Sequence, residues 1–252
     1  MFSDRMAQDA KGSPSPSARL DSTVAVVSGG SRGIGLAITT ALVEKGARVA
    51  IMGRDQARLD RAASGFPRDA VLGVRADVSN AAEVAAAINA AVGRFGGLDV
   101  LVNNAGIGRF GSVAEMPTAD WQDVIGTNLT GVFHCCRAAL PHLKTRGGGW
   151  IINISSLAST NPFVGGAAYC ASKAGLNAFT EALMQEVRYD NIRVSCIMPG
   201  SVATGFGGRG PDTGADWKIA PADVADLVVD LLTFPARSLP SRIELRPSRP
   251  KK

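Results

Sequence analysis

The sequence predicts a three-layer α/β/α fold in which seven parallel strands form a doubly wound sheet with helices on both faces. Three observations predict it. Short runs rich in Val and Ile alternate with longer Ala- and Leu-rich stretches of helical spacing, the pattern of successive βαβ units. The 29 glycines gather in turns without a three-residue period, which excludes collagen and suits a loop-rich α/β protein. At 252 residues, with 46% apolar and 19% charged side chains, the chain can bury one large core and is neither disordered nor fibrous in composition.

The elements follow in order. Residues 1–20 read as a flexible polar tail carrying Ser13-Pro-Ser-Pro-Ser17, with no apolar segment of the kind a signal peptide needs. Strands begin at Val24-Ala-Val-Val27, Arg48-Val-Ala-Ile-Met52, Ala70-Val-Leu-Gly-Val74 and Leu98-Asp-Val-Leu-Val102. Three more begin at Trp150-Ile-Ile-Asn-Ile154, Ile192-Arg-Val-Ser-Cys-Ile197 and Arg242-Ile-Glu-Leu245. With no internal repeat and no linker, 21–247 reads as one domain, followed by a basic tail at 248–252. Right-handed crossovers then place a ligand at the carboxyl ends of the strands, where the strand order switches.

Composition removes several function classes. The net charge of +5 comes from the ends, since residues 241–252 hold five bases and one acid and residues 1–20 hold three and two. The body is neutral, so nucleic acid is not an expected partner. No apolar run is long enough to span a bilayer, and the expected location is cytoplasmic. Cys135, Cys136, Cys170 and Cys196 lack metal or disulfide spacing and read as buried thiols. His134 and His142 are the only histidines, both in a helical stretch, which leaves little for a zinc site or a Ser-His-Asp hydrolase.

The first strand ends in Ser28-Gly-Gly-Ser-Arg-Gly-Ile-Gly35, and a helix starting near Ile34 follows, with Leu36, Ala37, Ile38 and Leu42 on its apolar side. Gly29, Gly33 and Gly35 permit the tight turn and close approach that a pyrophosphate needs over a helix amino terminus, although such a loop can also be a turn without a ligand. The second strand ends at Gly53 and Arg54, where many dinucleotide sites place an acid for the ribose hydroxyls. Arg32 and Arg54 can instead converge on a 2′-phosphate, which favours NADP(H) over NAD(H); each arginine alone could equally be a solvated charge, and Asp55 could still reach the ribose. Asp77 can accept from an adenine amino group or serve only as a helix cap, and Asn103-Asn-Ala-Gly106 can admit a nucleoside or be only a turn.

The strongest constellation is Ser156, Tyr169 and Lys173, with Asn128 upstream. The four-residue spacing in Tyr169-Cys-Ala-Ser-Lys173 puts phenol and ammonium on one helix face, although such a pair alone is usually an ordinary surface contact. A nearby cation favours phenolate and is expected to lower the tyrosine pKa toward the working pH, fitting it for proton transfer during hydride chemistry. Ser156, ending the Ile151–Ser156 run, can hold the same substrate oxygen.

Taken in order from Thr23 to Arg246, these motifs, with Pro199-Gly200, resemble the short-chain dehydrogenase/reductase family in its single-domain form, with a Rossmann-like NAD(P)-binding fold. The resemblance implies that Tyr169 is the acid/base, Ser156 rather than Ser155 positions the carbonyl, Lys173 binds the nicotinamide ribose and tunes the tyrosine, and Asn128 holds a water linking Lys173 to solvent. It implies coenzyme contacts at Ser28, Gly29, Ser31, Arg32, Gly33, Ile34 and Gly35 in the first loop and at Arg54, Asp77 and Val78 beyond the next strands. Further contacts are implied at Asn104, Ala105 and Gly106, at Tyr169 and Lys173, and at Pro199, Gly200, Val202 and Thr204. Three features depart from the family pattern: Ser28 stands for a threonine, Ser201–Pro211 is short and glycine-rich and reads as a mobile lid, and the chain lacks an Asp-Gly-Gly terminus, which disfavours acyl-carrier-protein substrates.

The expected activity is therefore an NADPH-dependent carbonyl reductase, or the reverse alcohol dehydrogenase, acting on a small molecule. A non-catalytic nucleotide-binding regulator is the alternative, disfavoured by the intact Tyr169 and Lys173. Ile107, Leu157, Phe163 and Phe206 are candidate pocket residues that could equally be core. A homodimer or homotetramer is expected through helices at Trp121–Lys144 and Tyr169–Arg188, whose apolar faces include Val132, Phe133, Leu140, Leu176, Phe179 and Leu183.

Overall fold

A computed structural model describes residues 19–206 and 216–250. Parts of the expected amino-terminal tail, lid and basic tail, namely 1–18, 207–211 and 251–252, lie outside the described residues. Seven parallel strands, β1 (Val24–Ser28), β2 (Arg48–Gly53), β3 (Val71–Arg75), β4 (Val100–Asn103), β5 (Gly149–Ile154), β6 (Ile192–Pro199) and β7 (Arg242–Leu245), stand in the order β3-β2-β1-β4-β5-β6-β7. The chain winds outward from β1 to β3, then returns to β4 on the other side of β1. The crevice between the carboxyl ends of β1 and β4 is thus the switch point.

Strand alternation divides the core. Val24 and Val26 of β1 pack on one face and Ala25 and Val27 on the other, as do Ala50 and Met52 against Val49 and Ile51 of β2. The first face is covered by α3 (Ala81–Phe95), α5 (Gly131–Arg146) and α6 (Ala167–Val187); the second by α1 (Gly33–Glu44), α2 (Gln56–Ala63) and α7 (Pro221–Leu232). Helix α3 shows why: Asn80 caps its first N–H groups, Gly96 ends it in a left-handed turn, and Val84, Ala87, Ile88, Ala91 and Phe95 form one buried stripe. Truncating Ile88, fully buried there, would cost about 2–5 kcal/mol.

Four boundaries differ from the sequence expectation, one of them that of β5, which starts at Gly149. β4 starts at Val100 because Asp99 turns its carboxylate onto the Val24 N–H (2.8 Å) and Arg146 (2.7 Å). β3 starts at Val71. Leu20, assigned to the tail, is a core residue whose N–H donates to the Lys45 carbonyl at 2.7 Å. The expected oligomer faces are also corrected in part: Val132, Leu176 and Leu183 are buried within this chain's own core, while Phe133 and Trp121 are exposed. Between α4 (Thr118–Ile125) and α5, one wide π-helical turn, Gly126–Thr130, rotates Asn128 inward.

Candidate active site

A cleft of about 980 Å³ opens at the carboxyl ends of the strands. Its floor at one end is the loop joining β1 to α1. Gly29 and Gly33 adopt φ of +66° and +53°, a region that disfavours side chains, and a Cβ on Gly35 would collide with the Gly29 carbonyl and the Asn104 amide. Helix α1 begins with Arg32 extended and no side-chain cap, and its first turn carries no acid, so its leading N–H groups remain available to an anion. The Ser28 hydroxyl accepts from the Asn104 and Ala105 N–H groups (both 3.0 Å), and the Asn104 amide donates to the Ser28 and Gly29 carbonyls (3.0 and 3.2 Å), locking the two switch-point turns together.

Arg32, Arg54, Arg58 and Asp77 line the next part of the cleft. Arg54 is well exposed and only 4.0 Å from Asp77. Burial pushes the Asp77 carboxyl up, but hydrogen bonds from the Ser79 N–H and hydroxyl and the charges of Arg54 and Arg75 outweigh it, leaving the group below its usual range. Asp77 does not cap α3, a task that falls to Asn80. Asp55 is committed as the cap of α2, accepting from the Arg58 N–H at 3.0 Å and pairing with the Arg58 guanidinium at 3.3 Å. A 2′-phosphate here would meet guanidinium groups, with the nearest acid already engaged.

The far end holds Ser156, Tyr169 and Lys173. The Lys173 ammonium is buried, donates to the Ile154 carbonyl at 2.8 Å, and lies 5.9 Å from the centre of the Tyr169 ring. Burial pushes its pKa down to about 8. Burial also raises the Tyr169 phenol, while a hydrogen bond with the Ser156 side chain pulls it down. The net direction is up, opposite to the lowering expected from Lys173, because desolvation of the phenolate dominates. Asn128 accepts from the Ile107 N–H (2.9 Å) and donates to the Ile107 carbonyl (2.9 Å) and the Ser172 hydroxyl (3.1 Å), so it clamps the loop after β4. A Cβ on Gly106 would sit 3.4 Å from Asn128 Oδ1 and 3.8 Å from Lys173 Nζ, so that glycine leaves the space between them open.

The structure brings nearly all the expected residues to one wall: Gly29, Ser31 to Ile34, Arg54, Asp77, Val78, Asn104 to Gly106, Ser156, Tyr169, Lys173, Pro199, Gly200, Val202 and Thr204 line the cleft. Ser28, Gly35 and Asn128 lie behind it and act through the backbone they hold. Leu157 is not on the wall, and a Cβ on Gly200 would meet it at 3.1 Å. Sequence reasoning missed Arg58 and Asn177. Asn177 stands four residues after Lys173 on α6, so the helical spacing could have found it, whereas Arg58 lies in the first turn of α2, outside the loop that carries Arg54. Asn177 accepts from Ser155 (2.7 Å) and donates to Ser159 (2.8 Å), whose hydroxyl donates to the Ser156 carbonyl (2.6 Å), bracing Ser156 from both sides. All four cysteines are free and buried, and burial pushes the Cys135 thiol up to about 12.

Known proteins match along nearly the same span. Residues 23–212 match the short chain dehydrogenase family. An uncharacterized oxidoreductase of Staphylococcus epidermidis is 33% identical over 230 residues, covering 91% of this chain and 99% of the relative. A 3alpha-hydroxysteroid dehydrogenase of Mediterraneibacter gnavus is 38% identical over 189 residues, 73% of this chain and 76% of the relative. The alcohol dehydrogenase of Thermococcus sibiricus, solved with 5-hydroxy-NADP, superposes with a TM-score of 0.84 at 31% identity, covering 91% of this chain and 99% of that one.

Proposed function

Because the chain belongs to the short-chain dehydrogenase family, we propose that it is an NADP(H)-dependent carbonyl reductase, or the reverse alcohol dehydrogenase, with Tyr169 as acid/base. The observation that carries this reading is the meeting of Ser156, Tyr169 and Lys173 at the end of a cleft whose other end offers a bare glycine loop and uncapped helix N–H groups. When bound, the coenzyme supplies a hydride to the carbonyl carbon or accepts one from the alcohol. The Ser156 hydroxyl holds the substrate oxygen, and the Tyr169 hydroxyl delivers a proton to it in reduction and removes one in oxidation. The raised phenol keeps that proton at neutral pH, as a donor must.

Lys173 bonds toward the coenzyme ribose with the N–H groups that Ile154 leaves over, and Asn128 keeps the Ile107 loop in place beside it. Arg32 and Arg54, joined by Arg58, hold the 2′-phosphate; the NADP analogue in the Thermococcus sibiricus structure supports this preference. Exposed Trp121 and Phe133 support pairing of chains into a homodimer or homotetramer. Loss of coenzyme absorbance with a panel of ketones tests the proposal: NADPH is consumed, and faster than NADH. Tight coenzyme binding with no turnover of any ketone or alcohol would favour the regulator instead.

A further inference from the structure

Past Tyr169 the cleft changes character. Its other end is rich in arginine, whereas this wall is built from Ile107, Phe110, Phe163, Val164 and Phe206. Three separate connections send a phenyl ring to this wall: Phe110, which follows β4, and Phe206, which follows β6, meet the Tyr169 ring, and Phe163, which precedes α6, meets Phe110. The Phe110 ring lies 5.9 Å from Phe163 and 5.9 Å edge-on from Tyr169, and Phe206 lies 5.6 Å from Tyr169 on its own account. These are separations at which aromatic pairs attract.

The backbone makes room for the rings. A Cβ on Gly108 would come within 2.7 Å of Phe110 and 3.0 Å of Phe206, and one on Gly166 within 2.7 Å of Phe163. Yet the rings are not finished core: Phe110 is 48% exposed, Phe163 49% and Phe206 40%, and Val164 is fully exposed. Apolar surface of this kind, gathered around the group that meets the reacting oxygen, is surface for a ligand to cover.

Given the hydride-transfer reading above, on which this rests, we propose that the substrate is an uncharged ketone, or its secondary alcohol, on a hydrophobic body of at least two rings. The rings of Phe163, Phe110, Tyr169 and Phe206 are strung at successive spacings of 5.9, 5.9 and 5.6 Å, so a single six-membered ring bridges only one gap. None of the five wall residues carries charge, so a carboxylate there would give up water with nothing to replace it. Lys218, also on the cleft, is set 5.6 Å from the Trp217 ring and leads into Ile219, which bridges to Val202. It is a cation on the cleft that an acidic substrate could use.

The full chain with NADPH is assayed on butanone, cyclohexanone, 1-tetralone and a carboxylated tetralone, for the wild type, Phe110→Ala and Phe163→Ala. In parallel, 1-tetralone is titrated by NMR into the NADP⁺ complex, which cannot reduce it. The expected results are a kcat/KM at least about tenfold higher for tetralone than for butanone, a loss of at least about tenfold on carboxylation, and a fall of about tenfold in the tetralone-to-butanone ratio in either variant. Tetralone binding weakens in parallel in Phe110→Ala. A flat series with butanone turned over overturns the substrate class and leaves hydride transfer standing, as does a preference for the carboxylate that Lys218→Gln abolishes. If no ketone is turned over, the functional reading falls, and the titration still decides the ring site: no binding, or binding that Phe110→Ala leaves unchanged, overturns it.

Discussion

Lys173 gives a quantitative prediction because its environment favours function over stability. The ammonium is 5% exposed and donates to the Ile154 carbonyl, and burial brings its pKa from 10.5 down to about 8. Between those values the unfolded chain holds the proton more tightly than the folded one. Folding stability therefore rises with pH from about 8 to 10.5, and below 8 the buried charge costs about 3 kcal/mol. Lys173→Met removes that cost but leaves the Ile154 carbonyl without its partner, a loss of about 1 kcal/mol. At pH 7, without coenzyme, the variant is expected to be about 2 kcal/mol more stable than the wild type, raising Tm by about 4–8 °C, while it loses turnover. Near pH 10.5 the lysine is largely neutral and the order reverses, with the variant about 1 kcal/mol less stable. Urea unfolding of both proteins at fixed chain concentration across pH 7 to 10.5 measures the gap. A gap that does not change with pH, or a variant less stable at pH 7, refutes the reasoning.

Replacing Arg32 and Arg54 together by Ala should weaken NADPH by about 2 kcal/mol, about thirtyfold, and NADH far less, as read by calorimetric titration; equal losses would mean neither guanidinium meets a 2′-phosphate. Asn177→Ala should lower stability by about 2 kcal/mol and reduce kcat while coenzyme affinity holds, because Ser156 loses its brace; a kcat matching the folded fraction alone would reduce Asn177 to packing. Sedimentation at micromolar concentration should show a dimer or tetramer that Phe133→Asp breaks, and a monomeric wild type would contradict the pairing.

Much of this architecture was legible because parallel strands buried on both faces are written as unbroken apolar runs, as at Val24–Val27 and Val49–Met52. The site was legible where backbone geometry demands glycine, at Gly29 and Gly33, and where helical spacing aligns Tyr169 with Lys173. What escaped depends on contacts between distant segments. Nothing near Phe110 in sequence announces that its ring will reach Tyr169, 59 residues on. Leu20 looks like tail until Lys45 is found beside it. The direction of the Tyr169 shift escaped for the same reason: spacing sets Lys173 near the ring, but burial by distant segments decides which form of the phenol is favoured.

The central claim is that Tyr169 moves the proton while the glycine loop, far from it in sequence, holds the pyrophosphate. Tyr169→Phe keeps the ring and its contacts with Phe110 and Phe206 and deletes only the hydroxyl. The direct measurement is carbonyl reduction by this variant beside a titration of NADPH. The account predicts a fall in kcat of about 10²–10⁴-fold with NADPH affinity within about twofold of wild type. Near-normal reduction by Tyr169→Phe of a ketone that the wild type reduces would contradict it, and another proton donor would have to be found.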